Sequence, residues 1–499
     1  MSSSCPGPGA AVTRATSRRQ FLARAGGGFG TIALASLLKA DSLLAADDSA
    51  FRTPHSAFPN PLAPRPTHFA PRAKRIIFLF MSGGPSHVDL FEPKPELARL
   101  AGQPIPESFG SFKTRRNVAK NKLLPSLRPY RAHGQCGMEI SDWLPHIASC
   151  ADDICLLRAC HGDSVTHPES VYMMSTGSIL MGKPSLGAWA AYGLGTENQN
   201  MPAFVVMPDP AGWVKGGAPA WGNGFLPAAF QGTLLRGGAS PILHLNTPDG
   251  ISARQQTATV NLVNQLNRES LGPGDAGSEL AARIAAYELA FRMQSHAHEV
   301  VDVSGESAAT RRLYGLDNKV TADFGLRCLL ARRMAERGVR FIQLFCGDTN
   351  GWDGHSKLEE NHSRLCAQSD LPVAGLLKDL KSRGMLDDTL VVWGGEFGRT
   401  VYCQGKLTET DYGRDHHPRN FAMWMAGGGV KRGFQLGETD DYSYNITADP
   451  VHVHDLQATI MHLMGVDHTR LTFRFAGRYF RLTDVHGRLL TEILSAAPA

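Results

Sequence analysis

The chain has 499 residues, 42% of them hydrophobic and 19% charged, with a net charge of +5; this is ordinary globular composition, long enough for one large α/β domain and too apolar for a disordered chain. Residues 1–46 hold five cations against one carboxylate, leaving +1 for the rest of the chain, which excludes the basic footprint of a nucleic-acid binder. Beyond that segment no run reaches the ~18 uninterrupted apolar residues of a membrane span.

Ser17-Arg18-Arg19-Gln20-Phe21-Leu22, followed by the uncharged span 25–38, reads as a twin-arginine export signal over residues 1–46 and predicts a periplasmic or extracellular protein. Cleavage falls near Ala45-Ala46, although Leu44 stands where a small residue is preferred; a retained signal would act as a membrane anchor. Residues 47–73, rich in Pro and polar residues, read as an extended linker, and 74–499 as the folded domain. Eight cysteines follow the signal without CxxC or Cys/His ligand spacing, and an oxidising compartment permits a disulfide within Cys136, Cys150, Cys155 and Cys160.

Arg75 to Met81 (RIIFLFM) is the first predicted strand. It enters Ser82-Gly83-Gly84-Pro85-Ser86-His87-Val88-Asp89, where two glycines allow a close backbone approach. Residues 102–135 are basic and broken by Pro and Gly, as in a surface excursion. Ile154 to Arg158 is a second strand leading to the polar run His161 to His167, and Pro202 to Met207 is a third. The span 208–275, rich in Gly, Pro and Asn and carrying Trp213 and Trp221, follows no regular period and is expected to be an irregular insertion covering the substrate. Residues 279–301 and 317–337 read as helices, Phe421 to Met425 as a strand, Asp455 to Leu463 as an amphipathic helix and 472–482 as a terminal hairpin.

The chemistry-bearing residues concentrate between Arg340 and Pro418. Val339 to Phe345 and Thr389 to Trp393 are the apolar runs of buried strands, joined by a helix over Cys366 to Arg383 that closes at Gly384. Asp348, Asp353 and His355 follow the first strand, Glu396 and Arg399 the second, and GRDHH with His416 and His417 comes next. Ligands of open parallel sheets bind outside the carboxyl ends of strands. Ser82 to Asp89, His161 to His167, Asp348 to His355 and Glu396 to Arg399 are therefore expected at one sheet edge, with GRDHH folded over it so that a histidine approaches Asp353 or Glu396. Carboxylates and imidazoles together suit zinc, manganese or iron.

FLFMSGGPSHVDLFEPKP, STGSILMGKPSLGAWAAYGLGTENQN, NGWDGH, TLVVWGGEFGRT, GRDHHPRNFAMWMAGGG and RLTDVHG together resemble the exported family catalogued as domain of unknown function 1501, abundant in planctomycetes, over nearly everything from Arg75 onward. That family is distantly similar to the alkaline phosphatase and sulfatase superfamily. The resemblance implies an α/β three-layer sandwich, with helices on both faces of a mostly parallel sheet and a metal site at the strand ends. On it, Asp353 and His355 match one ligand pair, Glu396 the acidic ligand, and His416 or His417 the last histidine. Phe397 departs from an expected His and Ser82 from an expected Asp, with His87 and Asp89 a few residues on as replacements. The nucleophile position falls on Thr166-His167-Pro168, ten residues before the turn at Gly177. The Arg of the sulfatase motif is absent there, which disfavours a formylglycine sulfatase.

These readings give an exported hydrolase of phosphate or sulfate esters, acting on a sulfated or phosphorylated glycan and using a divalent metal, zinc first and otherwise manganese, iron or calcium. Asp353, His355, Glu396, His416, His417, His87 and Asp89 are the candidate ligands, Thr166 and His167 the candidate catalytic groups, and Arg399 the partner of the oxyanion. The alternative, which Phe397 and Ser82 favour, is a non-catalytic binding or cell-surface scaffold with the Trp213 to Trp221 insertion as a carbohydrate-contact surface.

Overall fold

The computed structural model describes residues 60–110, 121–126, 128–236, 250–270, 279–405 and 407–496. The twin-arginine segment and the first part of the linker lie outside the described residues.

The run RIIFLFM forms β1 (Arg75–Met81), with every residue after Arg75 buried. The strands that matter to the site continue as β2 (Ile154–His161), β3 (Phe204–Met207), β4 (Thr233–Leu234), β5 (Phe341–Cys346), β6 (Thr389–Gly394), β7 (Gly398–Cys403), β8 (Arg414–His417), β9 (Phe421–Ala426), β10 (Phe434–Leu436) and β11 (Val451–His452). Nine of them make one sheet in the order β10-β2-β9-β6-β1-β5-β3-β4, with β11 beside β2. β1 lies between β5 and β6 and runs parallel to both. Only β9 is reversed, antiparallel to β6 on one side and β2 on the other. The two reversals restore direction, so β1, β2, β5 and β6 release their following loops at the same sheet edge.

All residues of β5, β6 and β9 are buried. That pattern, with side chains alternating across the sheet, requires both faces to be covered, and it explains why these strands read as unbroken apolar runs. The helices of nine or more residues are α1 (His167–Thr176), α2 (Leu186–Leu194), α3 (Ala253–Ser270), α4 (Glu279–Val301), α5 (Ala322–Glu336), α6 (Leu358–Ser382) and α7 (Val453–Leu463). α5 packs against β1 and β5, and α2 against β3 and β5. Trp393 and Trp424, cross-strand partners on β6 and β9, stack with centroids 6.0 Å apart in the core beneath the site edge.

The stretch 208–275 is not irregular throughout, because α3 occupies part of it. Leu262, Val263 and Leu266 of that helix are exposed. α6 begins eight residues earlier than the periodicity predicts and runs through Pro372. The terminal hairpin forms from Phe473–Phe475 and Arg478–Phe480. Among the described residues eight cysteines are free thiols, and no helix is long and apolar enough to cross a membrane.

Candidate metal centre

The loops after β1, β5 and β6 meet at the sheet edge, and Gly83 lets them do so. Its φ of +108° belongs to glycine, and a Cβ there would stand 2.6 to 2.7 Å from backbone atoms of Asn350, Trp352 and Asp353. The loop after β5 is thus laid directly on the β1 loop, with the Trp352 N–H donating to the Ser82 carbonyl at 2.8 Å. The Gly83 N–H in turn donates to both oxygens of Glu396, at 3.0 and 3.1 Å, tying in the loop after β6. β7 and β8 then form a two-stranded antiparallel ribbon in which His416 pairs with Arg399. His167 is the first residue of α1, at the end of the loop from β2.

These elements bring His167, Asp353, His355 and His416 into one group whose ligand-capable atoms all lie within 4.8 Å of one another. Asp353 is the centre. His355 Nε2 is 3.0 Å and His416 Nε2 3.1 Å from its Oδ1, while His167 Nε2 is 3.0 Å from Oδ2. Arg399 Nη2 donates to Oδ1 and Lys215 Nζ to Oδ2, each at 2.7 Å. Phe397 closes one side, its ring 4.8 Å from that of His167 and 4.4 Å from that of His416.

Each imidazole also has a partner on the far side of the ring. His167 Nδ1 faces Glu396 Oε1 at 2.7 Å, His416 Nδ1 faces the Val165 carbonyl at 2.7 Å, and His355 Nδ1 faces Gln404 Oε1. Each ring thus lies between two acceptors, an oxygen behind Nδ1 and the Asp353 carboxylate beyond Nε2, and in its neutral form has one proton for the two. Burial is the first cause that pushes the His416 pKa down to about 4, with the Asp353 hydrogen bond opposing it and the Arg399 charge adding to it. The neutral ring has one proton for the Val165 carbonyl and the Asp353 carboxylate, so one of its nitrogens faces an oxygen with no proton between them. A cation on the Asp353 side, with the proton on Nδ1, would satisfy both. His167 differs: its buried Nε2 is near Asp353 but off the angle of a hydrogen bond and has no other partner. Burial lowers its pKa, and the two carboxylates on either side outweigh that and raise it. Burial raises that of Asp353, but the close imidazoles of His167, His355 and His416 and the Arg399 charge hold the carboxyl well below the usual range. Three imidazole nitrogens and one ionised carboxylate converging at this spacing are a donor set that could hold a divalent metal ion.

The family model described as "Protein of unknown function (DUF1501)" matches residues 73–494. The chain belongs to this family. No curated protein matches it. Among solved structures this DUF1501 chain is similar to a sulfatase from Pseudoalteromonas sp., with 13% identity and a TM-score of 0.32 over 79% of this chain and 68% of that one. It is similar to a phosphonate monoester hydrolase from Silicibacter pomeroyi, with 14% identity and a TM-score of 0.32 over 71% and 72%. It is also similar to the alkaline phosphatase of the Antarctic bacterium TAB5, with 11% identity and a TM-score of 0.30 over 79% and 98%. Identities and TM-scores this low assign the chain neither an activity nor a substrate.

Not every residue singled out in the DUF1501 sequence reaches the cluster. Glu396 stands behind His167 as its hydrogen-bond acceptor instead of facing Asp353. His417, next to His416 on β8, points to the other side of the ribbon, as successive strand residues must, and its Nε2 meets the Tyr444 carbonyl at 2.8 Å. Burial pushes its pKa down to about 3. His87 lies on that same far side, stacked on His417 with centroids 6.4 Å apart and beside Asn420 and Ser443. Asp89 makes a two-pronged pair with Arg414, at 2.8 and 3.0 Å, so neither joins the Asp353 group. The Thr166 hydroxyl is turned to Ser164 Oγ at 3.2 Å. The Arg399 guanidinium is wholly buried and, besides Asp353, donates to the Gly83, Gly84 and Arg414 carbonyls, so it positions Asp353 and has little left to offer a substrate.

Lys215 and Gln404 were not marked by the sequence. Lys215 sits in the Gly-rich stretch after β3, where no motif surrounds it, and it is the half-buried cation of the site, with 26% of its side chain exposed. Gln404 follows β7, and only the three-dimensional pairing with His355 gives it a role.

Proposed function

We propose that this protein is an exported, metal-dependent hydrolase of phosphate or sulfate esters. The observation that carries the reading is the convergence of the three Nε2 atoms on Asp353, with each Nδ1 engaged from behind. His167, His355 and His416 would hold one divalent ion through Nε2 and Asp353 through its carboxylate, and this donor set fits zinc. When bound, such an ion supplies Lewis acidity toward a phosphoryl or sulfuryl oxygen. The residues of the chain do the rest. Glu396, Gln404 and the Val165 carbonyl fix the tautomers, Arg399 holds Asp353 ionised and in place, and Lys215 presents an ammonium where a tetrahedral anion would enter.

Elemental analysis of the purified protein tests this. Stoichiometric divalent metal, lost in His355→Ala, together with turnover of aryl phosphates, phosphodiesters or sulfates lost in Asp353→Ala, is the expected result. Substoichiometric metal unchanged by His355→Ala would overturn it. The scaffold reading has one observation in its favour: Arg399 and Lys215 already compensate Asp353, so the cluster is balanced as an internal ion-pair group. Turnover that depends on Asp353 removes that reading.

A further inference from the structure

The segment from Asp209 to Gly217 borders the site and is pinned at four points. Asp209 Oδ2 accepts from the Gly347 N–H at 2.9 Å, at the end of β5. Gly212 lies so close to Thr349 that a Cβ there would be 2.4 Å from its Oγ1 and 2.6 Å from its backbone nitrogen. Lys215 reaches Asp353, and the Gly216 carbonyl accepts from the hydroxyl of Tyr172, on the helix that begins with His167. A segment held this way carries its side chains at fixed positions relative to the cluster.

Trp213 stands in the middle of it, and 53% of its surface is exposed. The buried Trp221 stacks under it, with centroids 5.7 Å apart and planes 20° from parallel, so one indole face is covered and held. Solvent meets the other. Trp213 is two residues from Lys215, which limits the distance between their Cα atoms to about 7 Å. A large apolar ring left in water, rigidly backed and two residues along the chain from the half-buried cation of a polar site, is arranged to receive something flat.

We propose that Trp213 is the platform for the pyranose ring of a substrate whose anionic ester sits at Lys215 and the Asp353 cluster. The proposal rests on the ester-hydrolase reading and names its substrate class, a sugar phosphate or sugar sulfate. The chemistry matches on both sides. A pyranose presents a face of C–H bonds with slight positive charge to the negative π face of the indole, while its ester, outside the ring, carries the negative charge toward the ammonium. An alkyl ester without a ring would use the cation and leave the indole bare.

The test is calorimetric binding of glucose 6-phosphate and glucose 6-sulfate against ethyl phosphate and ethyl sulfate, on the full-length protein and on Trp213→Ala and Trp213→Phe. The readout is the preference for the ring-bearing ester over the ringless one. This ratio should fall about tenfold in Trp213→Ala, the size of one aromatic face contact, and be largely kept in Trp213→Phe. The phosphate and sulfate pairs show which ester is preferred. The same ratio in all three proteins, or no binding of either sugar ester, overturns the platform. Metal content measured on the same samples separates the two proposals. Metal-loaded protein that turns over ethyl esters without a Trp213-dependent ratio keeps the hydrolase and loses the platform; metal-free protein with a Trp213-dependent ratio does the reverse.

Discussion

Glu396 holds His167 in place: its Oε1 lies 2.7 Å from Nδ1, and both of its oxygens are fixed by the N–H of Gly83. A carboxylate on the far nitrogen of a metal-binding imidazole sets the tautomer and makes the ligand nitrogen more basic. Glu396→Gln keeps an acceptor but removes the charge, and Glu396→Ala removes both. Metal affinity, measured by competition with a chromophoric chelator, should fall about 10–100-fold in Glu396→Ala and by less in Glu396→Gln. Equal affinity in all three proteins would mean that Glu396 serves only the backbone of the β1 loop.

Gly83 joins three loops at one point, and its replacement tests whether the site depends on that contact. In Gly83→Ala the new methyl meets backbone atoms of Asn350, Trp352 and Asp353 at 2.6 to 2.7 Å, with φ in the left-handed region. Backbone cannot swing aside as a flexible side chain would. Strain and overpacking together should cost about 2–5 kcal/mol of stability. Metal should be lost along with it, because Asp353 moves with the displaced loop. The measurements are urea unfolding and metal content. A variant with wild-type values in both would show that the β1 and β5 loops separate freely.

Much of this was legible in the sequence, for identifiable reasons. Strand runs such as RIIFLFM and TLVVWG are apolar on both faces, so their ends were readable within a residue or two, and with them the position of Asp353, His355 and Glu396 at a common edge. The choice between His416 and His417 was not legible, because it depends on which side of the β7–β8 ribbon faces the loops, and that is fixed by the pairing of His416 with Arg399. His167 was placed at this edge by the strand reading, and its role in a nucleophile segment came through the family resemblance, while its geometry puts it in the group that could hold a metal. Lys215 was invisible, since its role comes from a long-range contact with Asp353 and from no local pattern.

His362 supports the Asp353 turn from below and gives the fold a defined acid sensitivity. Its Nε2 accepts the Ser86 N–H at 3.1 Å and its Nδ1 faces Asn361 Oδ1 at 3.1 Å, which is the neutral ring, packed edge-on against Trp352. Burial is the main cause that pushes its pKa from 6.5 down to about 3; Asp89 pulls it up, and Arg399 and Arg414 push it further down. Between those two values the unfolded chain binds a proton at this position that the folded chain does not. Stability therefore rises with pH through the window and is lost as pH falls below about 6.5, at up to ~1.4 kcal/mol per unit from this group. His362→Gln retains an acceptor for Ser86 and cannot titrate. Urea unfolding between pH 7 and 5, with excess chelator to remove any metal contribution, should give a pH slope smaller in the variant by about one proton's worth. Identical slopes would mean that His362 is protonated in the folded protein, with the Ser86 bond broken.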